Sequence, residues 1–201
     1  MTTETIAISR RRRAVLADLI PGLLARDVAV TIGAACFVGL LAQLSIHLSW
    51  TPVPITGQTL GVVVAGSALG TRRAAAALAL YAIGGLAGVP WFAGHTSGWV
   101  EGTFGYIIGF FVASVVCGFL AERRADRKVL SAIPAMVLGD AIIFLIGVPW
   151  LAVVYHFSAG QAIAKGVTPF LPGEGIKMAL AAGLLPSAWK IAGLSRRTRR
   201  S

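Results

Sequence analysis

Phe170-Leu171-Pro172-Gly173-Glu174-Gly175-Ile176-Lys177 sets an acid and a base three residues apart, just ahead of a run, Met178 to Leu185, that contains only Met, Ala, Leu and Gly. Residues three apart share one face of a helix. Pro172 and Gly173 predict that Glu174 falls in the first turn, where the helix N-terminus favours negative charge. Charged side chains close to hydrocarbon are costly unless they are paired or face a cavity, so an ionisable pair at the start of an apolar helix marks a functional site. The plainer reading is a Glu–Lys pair at the membrane interface, although exposed pairs repay their ordering poorly.

Composition extends this reading to the whole chain. Of its 201 residues 56% are hydrophobic and 13% are charged, against roughly 25% charged in a soluble domain. The mean hydropathy is +0.79. A span needs about 20 mostly apolar residues, so the chain accommodates roughly six and leaves no room for a soluble catalytic domain. The expected fold class is all-α, an integral membrane bundle of six transmembrane helices near residues 28–47, 58–70, 74–90, 104–121, 130–154 and 175–192. Residues 1–27 are expected to form a cytoplasmic N-terminal tail, 28–192 the substrate-binding transmembrane domain and 193–201 a basic cytoplasmic tail.

The net charge of +10 suggests nucleic-acid binding until its positions are considered. Arg10 to Arg13 precede the first span, Arg72 and Arg73 separate the second and third, and Arg123, Arg124, Arg127 and Lys128 separate the fourth and fifth. Arg196, Arg197, Arg199 and Arg200 close the chain, whereas Leu48–Gly57 and Val89–Gly102 hold no Lys or Arg. That alternation predicts both termini in the cytoplasm, with the basic residues facing anionic lipid headgroups and no nucleic acid as partner.

Smaller features agree. Ser9-Arg10-Arg11 resembles a twin-arginine signal, but Asp18, Pro21, Arg26 and Asp27 interrupt the region that would have to be apolar. Cys36 and Cys117 lie inside expected spans as small packing residues, with no metal-ligand spacing. The second span is short. The fifth carries Pro134 and Pro149, and residues 156–172 leave room for a short interfacial helix.

Two basic-free loops hold residues suited to binding. The first is Trp50-Thr51-Pro52-Val53-Pro54-Ile55-Thr56-Gly57-Gln58-Thr59, stiffened by two prolines and rich in neutral donors and acceptors. The second is Gly88-Val89-Pro90-Trp91-Phe92-Ala93-Gly94-His95-Thr96-Ser97-Gly98-Trp99, whose aromatics suit either a ligand or the membrane interface.

The run Thr51-Pro52-Val53-Pro54-Ile55-Thr56, followed by Gln58-Thr59-Leu60, resembles the TPVPIT-x-QTL signature of the BioY family, the substrate-binding S components of energy-coupling-factor (ECF) biotin transporters. The similarity continues through Gly85-Leu86-Ala87-Gly88-Val89-Pro90, Gly105-Tyr106, Gly147-Val148-Pro149-Trp150-Leu151 and Phe170-Leu171-Pro172-Gly173, from about residue 28 to residue 186. It implies a six-helix protein of the prokaryotic cell membrane that binds biotin from outside. It also implies docking on a transmembrane coupling subunit that carries two ABC-type ATPases. In keeping with that division, the chain contains no G-x-x-x-x-G-K-[ST] phosphate loop, and no cofactor is expected. The chain departs from the family pattern at Glu174, where Asp is usual, and at Glu101-Gly102-Thr103-Phe104-Gly105-Tyr106, which keeps only Thr103, Gly105 and Tyr106 of the GPTGGY element.

The residues themselves suggest a division of labour around biotin. Glu174 is an acceptor for a ureido N–H, and Lys177 a donor to a carbonyl or carboxylate. Gln58 serves at the pocket mouth or caps the second helix. Tyr106 and Thr103 flank the start of the fourth span, Tyr106 stacking on the bicycle or joining the interfacial aromatic belt, and Phe92 forms an apolar wall. His95 reads as a solvated loop residue. Asp140, midway along the fifth span, has to be paired, protonated or cavity-facing. Ala25, Ala29 and Gly33 form a small-residue stripe that suits either the coupling subunit or packing inside the bundle.

Two other function classes are weighed against the S component. A stand-alone secondary transporter or channel would show inverted repeats with paired broken helices, and none is visible. An enzyme would need a nucleophile or metal cluster, but His47, His95 and His156 are far apart in sequence.

Overall fold

The structure is a computed structural model that describes residues 15–20, 22 and 24–198, with side chains through residue 192. The basic runs Arg10–Arg13 and Arg196–Arg200 therefore lie outside the described side chains. The helices are α1 (Leu24–Gln43), α2 (Gln58–Leu69), α3 (Thr71–Leu86), α4 (Phe104–Glu122), α5 (Val129–Val154), α6 (Ala159–Gly166) and α7 (Leu171–Thr198). Their order follows the expected spans, with α6 filling the 156–172 connection. Among the described residues α1, α4 and α5 are long and apolar enough to cross a membrane. The chain is an all-helical, multi-pass membrane protein.

Its apolar pattern is that of a bundle in lipid. Val38, Val62, Leu78, Phe110 and Ile143 are buried together between α1 and α5, and Val63, Cys117, Met136, Ala181 and Leu185 form a second core toward α7. Leu24, Leu40, Leu145 and Leu180 point outward. Cys117 is a packing residue as expected, but Cys36 lies on the exposed face of α1, because the helix turns it away from α2 and α3.

α2 is the exception in length and in environment. Its twelve residues span about 18 Å at 1.5 Å per residue, short of a hydrocarbon core roughly 30 Å thick. It is shielded instead by its neighbours: Gln58, Thr59, Gly61, Val62, Val63, Ala65, Gly66, Ser67 and Leu69 are all buried. Gly70, at φ +79°, turns the chain directly into α3, a conformation a Cβ disfavours. The N-terminus of α3 is closed by Glu122 of α4, whose Oε1 accepts the Thr71 N–H at 2.9 Å. α4 can approach this corner because residue 118 is glycine.

Loops complete the bundle. A two-residue antiparallel ladder, β1 (Ser45–Ile46) with β2 (Ile55–Thr56), pairs Ser45 with Thr56 and Ile46 with Ile55. It was not foreseen, since the first expected span ran to residue 47; α1 ends at Gln43, and the β-branched Ile46, Ile55 and Thr56 suit the ladder. α5 runs unbroken through Pro134 and Pro149. At the end of the bundle carrying Arg72 and Arg123, Arg73 bridges Asp18 at 2.8 Å and Asp27 at 3.0 Å. Val15 and Ala17, in the stretch expected as a tail, are buried against Ala121 and Val30. Trp189 Nε1 donates to Asp126 Oδ2 at 2.5 Å, holding α7 to the turn between α4 and α5.

The approach of α4 to the turn between α2 and α3 is open to test. A Cβ on Gly118 would meet the backbone of Gly70 and Thr71 at 2.6–2.9 Å, whereas one on Gly183 of α7 meets nothing within 4 Å. Gly118→Ala is expected to lower the unfolding midpoint in detergent, at about 1–3 kcal/mol for overpacking. Gly183→Ala should leave the midpoint unchanged or raise it, by up to about 1 kcal/mol from helix propensity. Thermal unfolding followed by tryptophan fluorescence compares the two.

Candidate ligand-binding site

The first turn of α7 begins at Leu171, so Pro172 sits where a missing N–H does no harm, and the Glu174 N–H donates to the Phe170 carbonyl at 2.9 Å. Glu174 thereby points into the bundle, only 2% exposed. Its carboxylate is met from α2 by Thr59, whose hydroxyl donates to Oε2 at 2.8 Å and lies 3.0 Å from Oε1. Lys177 Nζ donates to Glu174 Oε1 at 2.7 Å and to Thr59 Oγ1 at 2.9 Å. The hydroxyl both donates and accepts, the carboxylate is paired, and two of the three ammonium N–H groups are used. Three polar groups thus satisfy one another where an unpaired charge would be prohibitive.

This triad forms the floor of a chamber of about 270 Å³, near the lower end of small-molecule sites and too small for a peptide. Its walls are Phe92, Ile107, Phe110, Ile143, Phe144 and Phe170, and the rim carries His47, Pro52, Pro54, Thr96, Thr103 and Tyr155. α6 is fastened to the loop that leads into Pro52 and Pro54: the Thr51 hydroxyl donates to the Lys165 carbonyl at 2.7 Å, and Lys165 Nζ donates to the Trp50 carbonyl at 2.8 Å. An apolar wall above a charged floor is an arrangement that can select by polarity and length. The arrangement suits a ligand with a polar head at Thr59, Glu174 and Lys177 and an apolar body against the walls.

Every residue expected at the site lines this one chamber: Glu174, Lys177, Gln58, Tyr106, Thr103 and Phe92. Their environments differ. Gln58 does not cap α2; its Nε2 donates to the Tyr81 hydroxyl at 2.6 Å and its Oε1 accepts from the Thr56 hydroxyl at 2.9 Å. Tyr106 is buried rather than interfacial, its hydroxyl donating to the Gly166 carbonyl at 2.9 Å, and its ring sits where a Cβ on Gly147 would lie 2.6 Å away. Phe92 is 2% exposed and packs edge-on to Tyr81. His95 is exposed, as expected, with its N–H held by Gln43. Ala25, Ala29 and Gly33 lie on the exposed side of α1 and make no packing stripe within the bundle.

Thr59, His47, Tyr155, Phe144 and Phe170 were not singled out as site residues from the sequence. Gln58 and Thr59 are adjacent in the same motif, and a helix turns successive side chains about 100° apart. Only the packing of α2 against α7 shows which of the two meets Glu174.

Fold and site together define a helical membrane protein with a chamber of small-molecule size. The BioY family model matches residues 9–193, and the chain belongs to the BioY family. It is 33% identical over 168 residues to the biotin transporter BioY of Rhizobium etli, covering 78% of this chain and 89% of that protein. It is 34% identical over 160 residues to a probable biotin transporter BioY of Bacillus subtilis, covering 75% and 84%. It is 34% identical over 157 residues to the biotin transporter BioY of Thermotoga maritima, covering 75% and 90%. The fold is similar to the crystal structure of the S-component for biotin from an ECF-type ABC transporter, with a TM-score of 0.76 and 21% identity over 83% of this chain and 92% of that one.

Thr59→Val keeps the shape of the side chain and removes the hydroxyl that joins α2 to α7. A buried carboxylate that loses a donor costs about 1–3 kcal/mol. The unfolding midpoint of Thr59→Val in detergent should fall accordingly, and Thr59→Ser should recover most of the loss. A Thr59→Val protein as stable as the parent would mean that the hydroxyl is dispensable to the floor.

Proposed function

We propose that this chain is the biotin-binding S component of an ECF-type importer. On this reading it captures biotin outside the cell and delivers it inward when docked on a transmembrane coupling subunit with two ABC-type ATPases; it is not an enzyme. The observation that carries the proposal is the Thr59–Glu174–Lys177 floor beneath an apolar chamber in a BioY-family fold. Biotin combines a ureido ring bearing two N–H donors and a carbonyl, an apolar thioether ring, and a chain ending in a carboxylate. Glu174 accepts from a ureido N–H and Lys177 donates to a carbonyl or carboxylate. Phe92 and Tyr106 cover the bicycle, while Gln58 and Thr103 contribute polar contacts.

Ala25, Ala29 and Gly33 form the surface for the coupling subunit: they are exposed and small enough for a partner helix to approach closely. Six spans, both termini in the cytoplasm and residence in the cell membrane complete the proposal. Its support is the placement of Arg72, Arg73, Arg123 and Arg124 at one end of the bundle and the basic-free loops at the other.

The isolated chain, purified in detergent without ATP, should bind biotin saturably in titration calorimetry. Binding of another vitamin and not biotin would reassign the substrate. Lys177→Ala and Glu174→Ala should each weaken biotin binding roughly ten- to a hundredfold, since hydrogen bonds to charged groups are worth about 1.5–3 kcal/mol and each 1.4 kcal/mol is tenfold. Glu174→Gln should weaken it less, and Glu174→Asp least. If both alanine variants bind like the parent, the ligand sits elsewhere.

Topology has its own test. With Cys36 and Cys117 replaced, a cysteine at Ala125 should resist a membrane-impermeant thiol reagent in intact cells, and one at Ser97 should react. The reverse labelling would overturn the orientation.

A further inference from the structure

The two ends of a primary amide have nearly the same shape, so the direction in which Gln58 faces is set by its hydrogen-bond partners. Its Nε2 donates to the Tyr81 hydroxyl at 2.6 Å. That hydroxyl in turn lies 3.4 Å from the Trp91 carbonyl, a group that can only accept. At the other end of the amide, the Thr56 hydroxyl accepts the Gln58 backbone N–H at 3.3 Å and donates its own proton to Gln58 Oε1 at 2.9 Å. Both chains of bonds end on backbone groups of fixed polarity. Each independently puts the nitrogen toward Tyr81 and the oxygen toward Thr56.

Tyr81 lies on α3, fully buried and outside the chamber, whereas Gln58 and Thr56 line it. The Tyr81 ring packs on Trp91 and Phe92, with centroids 5.5 and 5.3 Å away, and its backbone carbonyl accepts from Trp91 Nε1 at 2.9 Å. None of these contacts uses the hydroxyl. The Trp91 carbonyl has a second donor, Gln43 Nε2 at 3.2 Å, and does not depend on Tyr81. What the hydroxyl alone supplies is the hold on Gln58. A primary amide has two N–H groups and two lone pairs on its oxygen; Tyr81 takes one N–H and Thr56 one lone pair. One N–H and one lone pair are left on a side chain that lines the chamber.

We propose that Tyr81 is a positioning residue of the ligand site: its hydroxyl holds the Gln58 amide in one orientation, so that the remaining N–H and lone pair meet the carbonyl and N–H of a cyclic urea. The proposal rests on the biotin reading above. A ureido group carries a carbonyl beside an N–H, the same pair that an amide presents, and the two match only when the amide faces one way. Turned end for end, the amide sets N–H against N–H and oxygen against oxygen. An amide locked before the ligand arrives also spares binding the cost of ordering a long side chain.

The test is a double-mutant cycle on the purified full chain in detergent: the parent, Tyr81→Phe, Gln58→Ala and the double variant, with unfolding midpoints recorded for each. All four are titrated with biotin and with desthiobiotin, which keeps the ureido ring and lacks the thioether ring. Tyr81→Phe retains the ring contacts with Trp91 and Phe92 and loses only the hydroxyl. It is expected to weaken both ligands by the same factor, roughly two- to tenfold, the worth of one neutral hydrogen bond. In the Gln58→Ala background the same substitution should change neither affinity, because no amide is left to orient. Additive losses in the double variant would overturn the proposal. So would a loss confined to biotin, which would place the effect of Tyr81 in the apolar wall at Phe92. If Gln58→Ala does not fold, Gln58→Met takes its place, and if neither folds the comparison of the two ligands decides alone. A folded parent that binds neither ligand removes the biotin reading itself, whereas a parent that binds and a Tyr81→Phe protein equal to it remove only the role of Tyr81.

Discussion

A carboxylate inside an apolar bundle has to be paired, and most of this structure follows from how Glu174 meets that requirement. Its partners come from two helices: Lys177 from the next turn of α7 and Thr59 from the first turn of α2. The start of α2 must therefore lie deep enough to reach α7. A helix of twelve residues placed there cannot face lipid along its length, so its neighbours enclose it and nine of its residues are buried. Gly66 of α2 against Ser114 of α4, and Gly118 of α4 against Gly70 and Thr71, make that enclosure possible, because they let backbones approach where side chains would collide.

The same pairing shapes the chamber. Polar groups are gathered on the floor, and the walls above are aromatic and aliphatic. In such a site a hydrogen bond is electrostatically stronger than in water, and a ligand group left without its partner is correspondingly costly. On the proposed reading, discrimination lies in the match between a polar head and these three groups, with the apolar walls setting size. Tyr106 and Gln58 are themselves tied to Gly166 and Tyr81. The contact surface is thus pre-formed and needs little ordering when a ligand enters.

The rim is built from distant parts of the chain. The loop carrying Thr51 is joined to α6 through Lys165, and the loop carrying Phe92 is joined to α1 through Gln43, whose Nε2 donates to the Phe92 carbonyl at 3.2 Å.

By itself the sequence determined that this chain lies in a membrane, the order of its long helices, and that Glu174 and Lys177 share a face at the start of α7. Hydropathy, turn residues and three-residue spacing are local properties and need no knowledge of neighbours. The motif containing Gln58 and Thr59 also pointed to the right corner of the fold. Which of those two meets the carboxylate, that Tyr106 is buried rather than interfacial, and that Cys36 faces outward were decided only by tertiary structure. Each depends on the rotation of one helix against another. That rotation is set by close approaches such as Gly118 to Gly70–Thr71 and Gly147 to Tyr106, contacts between residues far apart in the chain that no local pattern encodes.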